Sequence, residues 1–399
     1  MLPLLCTCAA ATSPASFVKG MQMGINLGNV LDAPTEGAWA MPAQEYYFDD
    51  YVQAGFKSVR VPVRWDKHTA TASPWLVDPS FMSRVDQVIG WSLDRGLRTI
   101  LNTHHDDWLD GAMTNSSFDV QLERLVAIWA QVAERFASRS DDLLAFEVYN
   151  EPHLNMTVDW LNRMNMAVLP TIRATNPTRN VLFGGLQWMN PSWIVANPDA
   201  MLFPSNDSHL FLEVHSYDPY SFCGMTEGTI THEWAPSDVD GWVDSLAAWA
   251  AEREMAVLLG EFGCNQTQTN ASGRVAWYEY VRRAVQRQGF ASTVWDDSGS
   301  FAIYDRQVRA WDVDVLHALG LETDAVRSFV DSRTTGNLAA SSSQLPPLGW
   351  RPSPTSSKHE QLTDETRNKG HEGQASGVEE GGAEPRDSLV EVRGKSSRL

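Results

Sequence analysis

The sequence predicts an α/β protein folded as a closed (β/α)8 barrel, the TIM-barrel architecture. Between residues 20 and 330, short apolar runs alternate with longer amphipathic stretches, and this alternation is typical of a parallel sheet covered by helices. Eight such runs in about 300 residues favour a closed barrel over an open sheet. No G-x-G-x-x-G motif follows the first run, which argues against a dinucleotide-binding fold.

The eight predicted strands follow one another in chain order. They are Gln22–Leu27, Ser58–Val63, Arg98–Thr103, Leu144–Tyr149, Asn180–Gly184, Leu210–His215, Ala256–Gly260 and Ala291–Trp295. Helices are predicted between most of them, at Pro79–Arg95, Phe118–Ser138, Thr157–Thr175, Ser237–Arg253 and Ser272–Gln288. The connection after the fifth strand, around Asn190–Pro198, lacks a clear helical pattern, so the fifth unit is the least defined.

The chain is predicted to hold one catalytic domain, residues 17–330. Beyond residue 330, Ser, Gly, Pro, Glu and charged residues dominate, and Trp350 is the only aromatic residue. Such a segment buries too little apolar area to offset the entropy of ordering it, so we predict that residues 331–399 form a disordered, low-complexity tail. Residues 1–16 form an N-terminal segment, and Met1–Ala11 resembles the end of a secretory signal without its positively charged start.

Composition restricts the partners of this protein. The formal net charge of −19 argues against a phosphate-binding groove, because nucleic-acid affinity depends on clustered Lys and Arg. No apolar run of 18 residues occurs, so we expect no membrane partner. Five N-x-S/T triplets are compatible with an extracellular glycoprotein, and we expect a secreted monomer. The triplets begin at Asn115, Asn155, Asn206, Asn265 and Asn270.

Polar residues accumulate where the predicted strands end, which is where barrel enzymes place their chemistry. Polar side chains at one end of successive strands are hard to explain structurally, because each would be drawn toward an apolar core. Those side chains are Asn26, Asn29, Arg60, Arg64, Asn102, His104, His105, Asp106, Asp107, Asn150, Glu151, His215, Tyr217, Glu261, Asp296 and Asp297.

Two of these residues are carboxylic acids that directly follow apolar strands. Glu151 lies in VYNEP, and Glu261 follows AVLLG. Hydrolysis of an acetal needs one protonated carboxyl group and one ionised carboxylate. An Arg on the second strand can pair with Glu261 and favour its ionised form, since a nearby cation lowers a carboxyl pKa.

The motifs VRVPVRW, NTHHDDW, LAFEVYNEP, VHSYDPY, GEFG and VWDD together resemble glycoside hydrolase family 5, the cellulase family A, over about Gly20 to Leu319. The resemblance implies Glu151 as acid/base and Glu261 as nucleophile. It also implies a supporting shell of Arg60, His104, Asn150, His215, Tyr217 and Trp295. The segment GINLGNVLDAPTEGAW resembles endoglucanase-like members. Asn26, at the end of the first strand, and Trp39, in or beside a strand-end loop, complete the predicted supporting and substrate-binding set.

The resemblance implies double displacement with retention of configuration, with the two carboxyl groups about 5–5.5 Å apart rather than about 6.5–9.5 Å as in inverting enzymes. We expect an endo-acting enzyme on β-1,4-glucan that needs no cofactor and no metal. Mannan, xyloglucan and β-1,3-glucan stay open as substrates. Two rival hypotheses are a glycan-binding barrel without turnover and a metal-dependent hydrolase that uses the His104–Asp107 cluster.

Tryptophan and cysteine leave two structural questions open. Sixteen Trp residues occur, and those beside strand ends can either stack on sugars or pack in the core. They are Trp39, Trp65, Trp108 and Trp188. Cys223 and Cys264 follow two strands that are neighbours in a barrel, so they either form a disulfide that braces the rim or remain free thiols.

Overall fold

The computed structural model describes residues 12–105, 107–224, 233–267 and 269–321. In this part of the chain, eight parallel strands pair in chain order and β8 pairs with β1 to close the barrel. This confirms the predicted fold class. The strands are β1 Met23–Asn26, β2 Ser58–Val61, β3 Arg98–Asn102, β4 Leu144–Glu147, β5 Val181–Gly184, β6 Leu210–His215, β7 Val257–Phe262 and β8 Ala291–Val294.

Helices surround the barrel and cover its outer face. They are α1 Pro14–Met21, α2 Glu45–Ala54, α3 Pro79–Asp94, α4 Asp107–Asp110, α5 Asn115–Phe136, α6 Val158–Arg173, α7 Leu186–Met189, α8 Pro191–Ala196, α9 Tyr220–Cys223, α10 Pro236–Glu252, α11 Ala271–Arg287 and α12 Val313–Ala318. A two-stranded hairpin of β9 (Tyr304–Asp305) and β10 (Ala310–Trp311) lies between β8 and α12. No helix among the described residues is long and apolar enough to cross a membrane.

The segment after β5 departs from a regular barrel unit. Where a long helix would be expected, the chain forms the short α7 and the six-residue α8. Gln187, Trp188 and Met189 have φ values of 55°, 58° and 57°, a left-handed conformation that is uncommon for residues other than Gly. Such backbone strain persists only where surrounding contacts hold it. A short helix, α8, therefore forms where the sequence showed no clear helical pattern, and the irregular backbone lies just before it, at residues 187–189.

Helix α1 closes the end of the barrel opposite the polar residues. Phe17, Val18 and Met21 are buried against inward-facing residues from the starts of the strands. The centroid of the Phe17 ring lies 6.1 Å from that of Phe211 and 5.8 Å from the Arg98 guanidinium. Because α1 begins at Pro14, ordered structure begins before the predicted domain boundary at residue 17. The signal-like Met1–Ala11 and the predicted tail 331–399 lie outside the described residues.

A disulfide joins Cys223, in α9 after β6, to Cys264, directly after β7. The backbone amide of Asn265 also donates to the carbonyl of Cys223 at 3.1 Å. The question left open by the sequence is thus resolved in favour of the disulfide, which links two neighbouring loops at the rim that carries the polar residues.

Candidate active site

Arg60 is the centre of the polar cluster at the carboxyl ends of the strands. It lies on β2, is fully buried, and extends its guanidinium across the barrel interior. Nε and Nη2 donate to the two oxygens of Glu147 at 2.7 and 2.8 Å, a bidentate arrangement that is strong and directional. Nη1 donates to Glu261 Oε1 at 2.6 Å. One guanidinium therefore orients carboxylates from two different strands.

Glu261 lies inside β7 rather than after it, because the strand runs to Phe262 and not to Gly260 as predicted. Its side chain is 6% exposed. Besides the bond from Arg60, Oε2 accepts a hydrogen bond from the Tyr217 hydroxyl at 2.9 Å. Both oxygens thus have a fixed donor, and the carboxylate is held in one orientation.

Glu151 follows β4 and faces Glu261 across the opening. Its side chain is 24% exposed, and its backbone has a left-handed φ of 49°. His153 Nδ1 donates to the carbonyl of Glu151 at 2.6 Å and braces this conformation. One oxygen of Glu151 and one of Glu261 lie within 4.8 Å of each other. This close approach of two oxygens is compatible with the separation of about 5–5.5 Å between the carboxyl groups of a retaining enzyme.

The surroundings of Glu151 and Glu261 act differently on their pKa values, so the two acids differ in protonation. Burial raises the pKa of Glu151 well above its usual range, and the negative charge of Glu261 adds to the rise. Burial also raises the pKa of Glu261, but the positive charge of Arg60 and the hydrogen bond from Tyr217 oppose that rise. The carboxyl group with a cation at 2.6 Å ionises first, and its neighbour keeps the proton.

His215, at the end of β6, contacts both acids. Its Nδ1 lies 2.8 Å from Glu151 Oε1 and 3.8 Å from Glu261 Oε2. Burial and the charge of Arg60 lower the pKa of His215 well below its usual value, so the imidazole is neutral. Burial raises the pKa of Tyr217 well above its usual value, and the charge of Glu261 acts in the same direction, so the phenol remains a donor.

Aromatic rings line the side of the opening formed by β8, β1 and β3. His104 and Trp295 are nearly parallel, with 5.9 Å between ring centroids and an interplanar angle of 6°. Trp39 is half-buried and meets His105 edge-on at 5.4 Å. Asn102 Nδ2 contacts His104 Nδ1 at 3.1 Å, and burial lowers the pKa of His104 well below its usual value.

Two residues of the predicted supporting and substrate-binding set, Asn26 and Asn150, contact Arg60. Asn26 is fully buried, and its Nδ2 donates to the carbonyl of Gly260 at 2.9 Å and to the carbonyls of Thr293 and Val294. Its Oδ1 accepts from Arg60 at 3.0 Å. Asn26 therefore ties β1 to β7 and β8, below the reach of a sugar. Asn150 Oδ1 also accepts from Arg60, at 2.6 Å, which fixes the orientation of its amide.

Sequence reasoning missed two residues of this cluster, Glu147 and Glu213. Both are fully buried, and both lie within salt-bridge distance of Arg60. The available signal was a lone acidic residue inside an otherwise apolar strand, as in LAFE and LFLEVH. A charged residue there must have a partner inside the barrel.

The remaining predicted tryptophans separate by exposure. Trp65 is fully buried, and its Nε1 donates to the carbonyl of Asn102 at 2.8 Å, so it packs in the core. Trp188 is 46% exposed and stacks on His153 at 5.0 Å between centroids. Trp188 thus presents an open ring face on the β5 side of Glu151, across the opening from Trp295. Trp108 is half-buried beside the Arg124 guanidinium.

The suggested metal cluster takes a different form from the one predicted. His104 and His105 lie near the buried Asp32, and one potential ligand atom from each falls within a 4.8 Å group. Both Asp32 oxygens already accept backbone amides, from Asn29 and Val30. Asp106 and the side chain of Asp107 lie outside the described residues. Asp32 therefore has a complete structural role in holding the loop after β1.

Comparison with known proteins agrees with this geometry. The family model described as cellulase, glycosyl hydrolase family 5, matches residues 18–300. The chain belongs to glycosyl hydrolase family 5. The match ends after the eighth strand and includes both acids, so the predicted family is confirmed.

Several relatives carry the name endoglucanase. Endoglucanase H of Acetivibrio thermocellus is 40% identical over 77% of this chain, which spans only 34% of that protein's length. Endoglucanase B of Ruminococcus albus is 30% identical, with 75% of this chain and 78% of the relative covered. The crystal structure of endoglucanase Cel5A from Thermotoga maritima has a TM-score of 0.71 at 28% identity, covering 77% of this chain and all of the other.

Proposed function

We propose that this protein is a retaining, endo-acting β-1,4-glucanase that uses Glu151 as acid/base and Glu261 as nucleophile. One observation carries the proposal: two carboxyl groups, with one oxygen of each within 4.8 Å of the other, have opposite electrostatic surroundings. Glu261 has a guanidinium and a phenol as donors, whereas the pKa of Glu151 is raised by burial and by its acidic neighbour. This pairing fits a double displacement, in which a nucleophile and a proton donor act on the same bond.

The reaction proceeds in two steps. Glu151 donates its proton to the glycosidic oxygen while a carboxylate oxygen of Glu261 attacks the anomeric carbon, which forms a glycosyl ester and releases the leaving sugar. Glu151, now ionised, then removes a proton from water as the water attacks the same carbon and releases Glu261. The net change is one glycosidic bond and one water consumed, with both carboxyl groups returned to their starting states.

The aromatic groups on either side of the acids support a polymeric substrate. Trp295 and Trp39 lie on the β8–β1 side and Trp188 on the β5 side. Flat ring faces suit the apolar faces of sugar rings, and binding on both sides of the acids is what internal cleavage of a chain requires.

The proposed preference for β-1,4-glucan is supported by similarity to named endoglucanases. The relatives reported above are endoglucanases by name. Solved structures of the similar Thermotoga maritima enzyme include complexes with cellobiose and with mannotriose. Mannan therefore belongs in any substrate panel, together with xyloglucan and β-1,3-glucan.

The decisive experiment measures reducing-sugar release from carboxymethyl-cellulose, mixed-linkage glucan, xyloglucan, mannan, xylan and laminarin. Wild type is compared with Glu151→Gln, Glu261→Gln and, as a control, the exposed Glu252→Gln. We expect highest activity on the β-1,4-linked glucans. Loss of the acid should reduce turnover by about 10²–10⁴-fold, and loss of the nucleophile should abolish it, while the control keeps full activity.

Full activity in either active-site variant would refute the assigned roles. Binding to a polymer without turnover in wild type would favour the glycan-binding barrel, and loss of turnover with a chelator would favour the metal-dependent rival. The anomer released first, followed by proton NMR, tests the stereochemistry. We expect the β-anomer, and an initial α-anomer would refute double displacement.

We also propose that the protein acts outside the cell, as a monomer, without a nucleic-acid or membrane partner. The disulfide supports an oxidising compartment, since disulfides persist mainly in secreted proteins. Four sequon asparagines are exposed, at 115, 155, 206 and 270, whereas Asn265 is 1% exposed and accepts from Thr267. Mass spectrometry of the secreted protein should therefore find no glycan on Asn265.

A further inference from the structure

The mechanism above leaves Glu213 unused, although it lies directly beneath the acids. Glu213 is on β6, two residues before His215, and is fully buried. Its Oε1 lies 3.1 Å from Arg60 Nε and 3.4 Å from His215 Nε2. The imidazole thus lies between Glu213 on one ring nitrogen and Glu151 on the other.

The neighbouring strand leaves room for this carboxyl group. A Cβ atom at Gly260 on β7 would lie 1.7 Å from Glu213 Oε1, so no other residue fits there while Glu213 keeps its position. Glu213 and Gly260 therefore form a matched pair across two strands. The pair places an acceptor beneath His215 at a depth where solvent cannot supply one.

The surroundings of Glu213 favour the neutral acid over the carboxylate. Its Oε2 has no hydrogen-bond partner among the described residues, and a buried ionised oxygen without a partner is costly. Arg60 already neutralises part of the charge on Glu147 and Glu261. Burial raises the pKa of Glu213 well above its usual range, and the negative charge of Glu147 adds to the rise. The carbonyl-like Oε1 remains available as an acceptor.

We propose that Glu213 is a positioning residue that keeps the proton of His215 on Nε2, so that Nδ1 accepts the hydrogen bond of protonated Glu151. The hydrogen bond of one ring nitrogen determines which nitrogen carries the proton. With Nε2 donating to Glu213, Nδ1 is bare, and the 2.8 Å contact is a bond donated by the Glu151 hydroxyl. This role of Glu213 depends on the proposed role of Glu151 as proton donor.

The opposite tautomer would have the opposite effect. A proton on Nδ1 would be donated to Glu151 and would stabilise its carboxylate, which lowers the pKa of the acid. Other ionisable groups face the same centre and stay unchanged in the test below. They are Arg60 from β2, His104 after β3, Glu147 and Glu151 from β4 and the turn after it, Tyr217 after β6, and Glu261 from β7.

The test compares Glu213→Gln, which keeps a carbonyl acceptor in place of Oε1, with Glu213→Leu, which has similar volume and no acceptor. The readout is the alkaline limb of kcat/KM against pH, which reports the acid in the free enzyme. We expect the Gln variant to keep the wild-type limb. In the Leu variant, the alkaline limb should shift by about one pH unit toward lower pH. At pH values above the limb, kcat/KM should then be about tenfold lower than in wild type. An unmoved limb in the Leu variant, or equal shifts in both variants, would overturn the proposal.

A second measurement needs neither activity nor a variant that folds. The nitrogen chemical shifts of His215 in histidine-labelled wild-type protein report its tautomer directly. We expect a proton on Nε2, and a proton on Nδ1 would overturn the proposal. If wild type hydrolyses no polysaccharide while His215 carries its proton on Nε2, the proposed function fails and the hydrogen-bond arrangement stands.

Discussion

At the scale of single residues, one buried cation, Arg60, organises the site by contacting three carboxyl groups. Arg60 is within 3.1 Å of oxygens from Glu147, Glu213 and Glu261. A single positive charge cannot stabilise three ionised neighbours in a buried place, so the acids must differ in protonation. Burying three carboxyl groups around one cation costs free energy. For the same reason, the site holds both a carboxylate and a carboxylic acid.

Replacing Tyr217 by Phe tests how Glu261, the proposed nucleophile, is kept ionised. The phenol donates to Glu261 Oε2 at 2.9 Å, and a hydrogen bond to the charged form lowers a carboxyl pKa. Without it the pKa of Glu261 rises, so we expect the acidic limb of kcat/KM to move up by about one pH unit. The pH profile measures this, with the exposed Tyr220→Phe as control. An unchanged acidic limb would show that Arg60 alone sets the ionisation.

The sequence predicted where Glu151 and Glu261 lie more readily than which buried side chains contact them. Glu151 and Glu261 follow apolar strands beside distinctive motifs, so their position is visible in the chain. The roles of Asn26 and Glu213 depend on which side chains meet across the barrel, since Asn26 contacts residues from β2, β7 and β8. Strand order predicts that these strands approach one another, but not which polar atoms pair.

At the scale of elements, α1 acts as the floor of the barrel. Phe17 is fully buried in this floor. Truncating a buried Phe to Ala usually costs about 3–5 kcal/mol, so we expect Phe17→Ala to lower the free energy of unfolding by about that amount. The pH profile of activity should stay unchanged, because the acids lie at the other end of the strands.

Urea unfolding followed by tryptophan fluorescence measures this change, and the exposed Lys19→Ala is the matched control. Equal midpoints for the Phe17 and Lys19 variants would show that α1 contributes nothing to the stability of the barrel. The sequence did not predict α1, because its eight residues contain Pro14 and Gly20 and lie beside the signal-like segment.

The disulfide between the loops after β6 and β7 offers a second test at this scale. It closes a loop with a sequence separation of 41, for which chain entropy gives about 4 kcal/mol of stabilisation. We expect the Cys223→Ser/Cys264→Ser variant to lose about that much free energy of unfolding. Urea unfolding of wild type with reductant should give the same midpoint as the variant. A midpoint equal to that of oxidised wild type would refute the contribution.

At the scale of the whole molecule, the alternation of apolar and amphipathic segments was enough to predict the barrel. Every predicted strand corresponds to an observed one, with ends that differ by up to two residues. The irregular unit after β5 could not be derived, because three successive left-handed residues are maintained by tertiary contacts rather than by local preference. The strand ends shift for the same reason, since cross-strand bonds decide where pairing stops.

Removing residues 331–399 tests the predicted limit of the catalytic domain. The described part of the chain ends with Leu319 and Leu321 buried in the core, and the composition beyond residue 330 disfavours a packed structure. We expect the shortened protein to keep the wild-type turnover and thermal midpoint. The same polysaccharide assay and a thermal melt measure both. A clear loss of folded yield or of turnover would show that the removed segment contributes to the barrel.

The seam between β1 and β8 has a consequence for how the protein is made. Asn26 on β1 bonds to Thr293 across a sequence separation of 267. During synthesis, β1 emerges from the ribosome long before its partner, and β1 and β7 keep open edges until Ala291–Val294 arrives. Open edges invite pairing with other chains. A nascent chain that stops before residue 291 would contain both Glu151 and Glu261, yet it would lack the strand that completes the sheet around them.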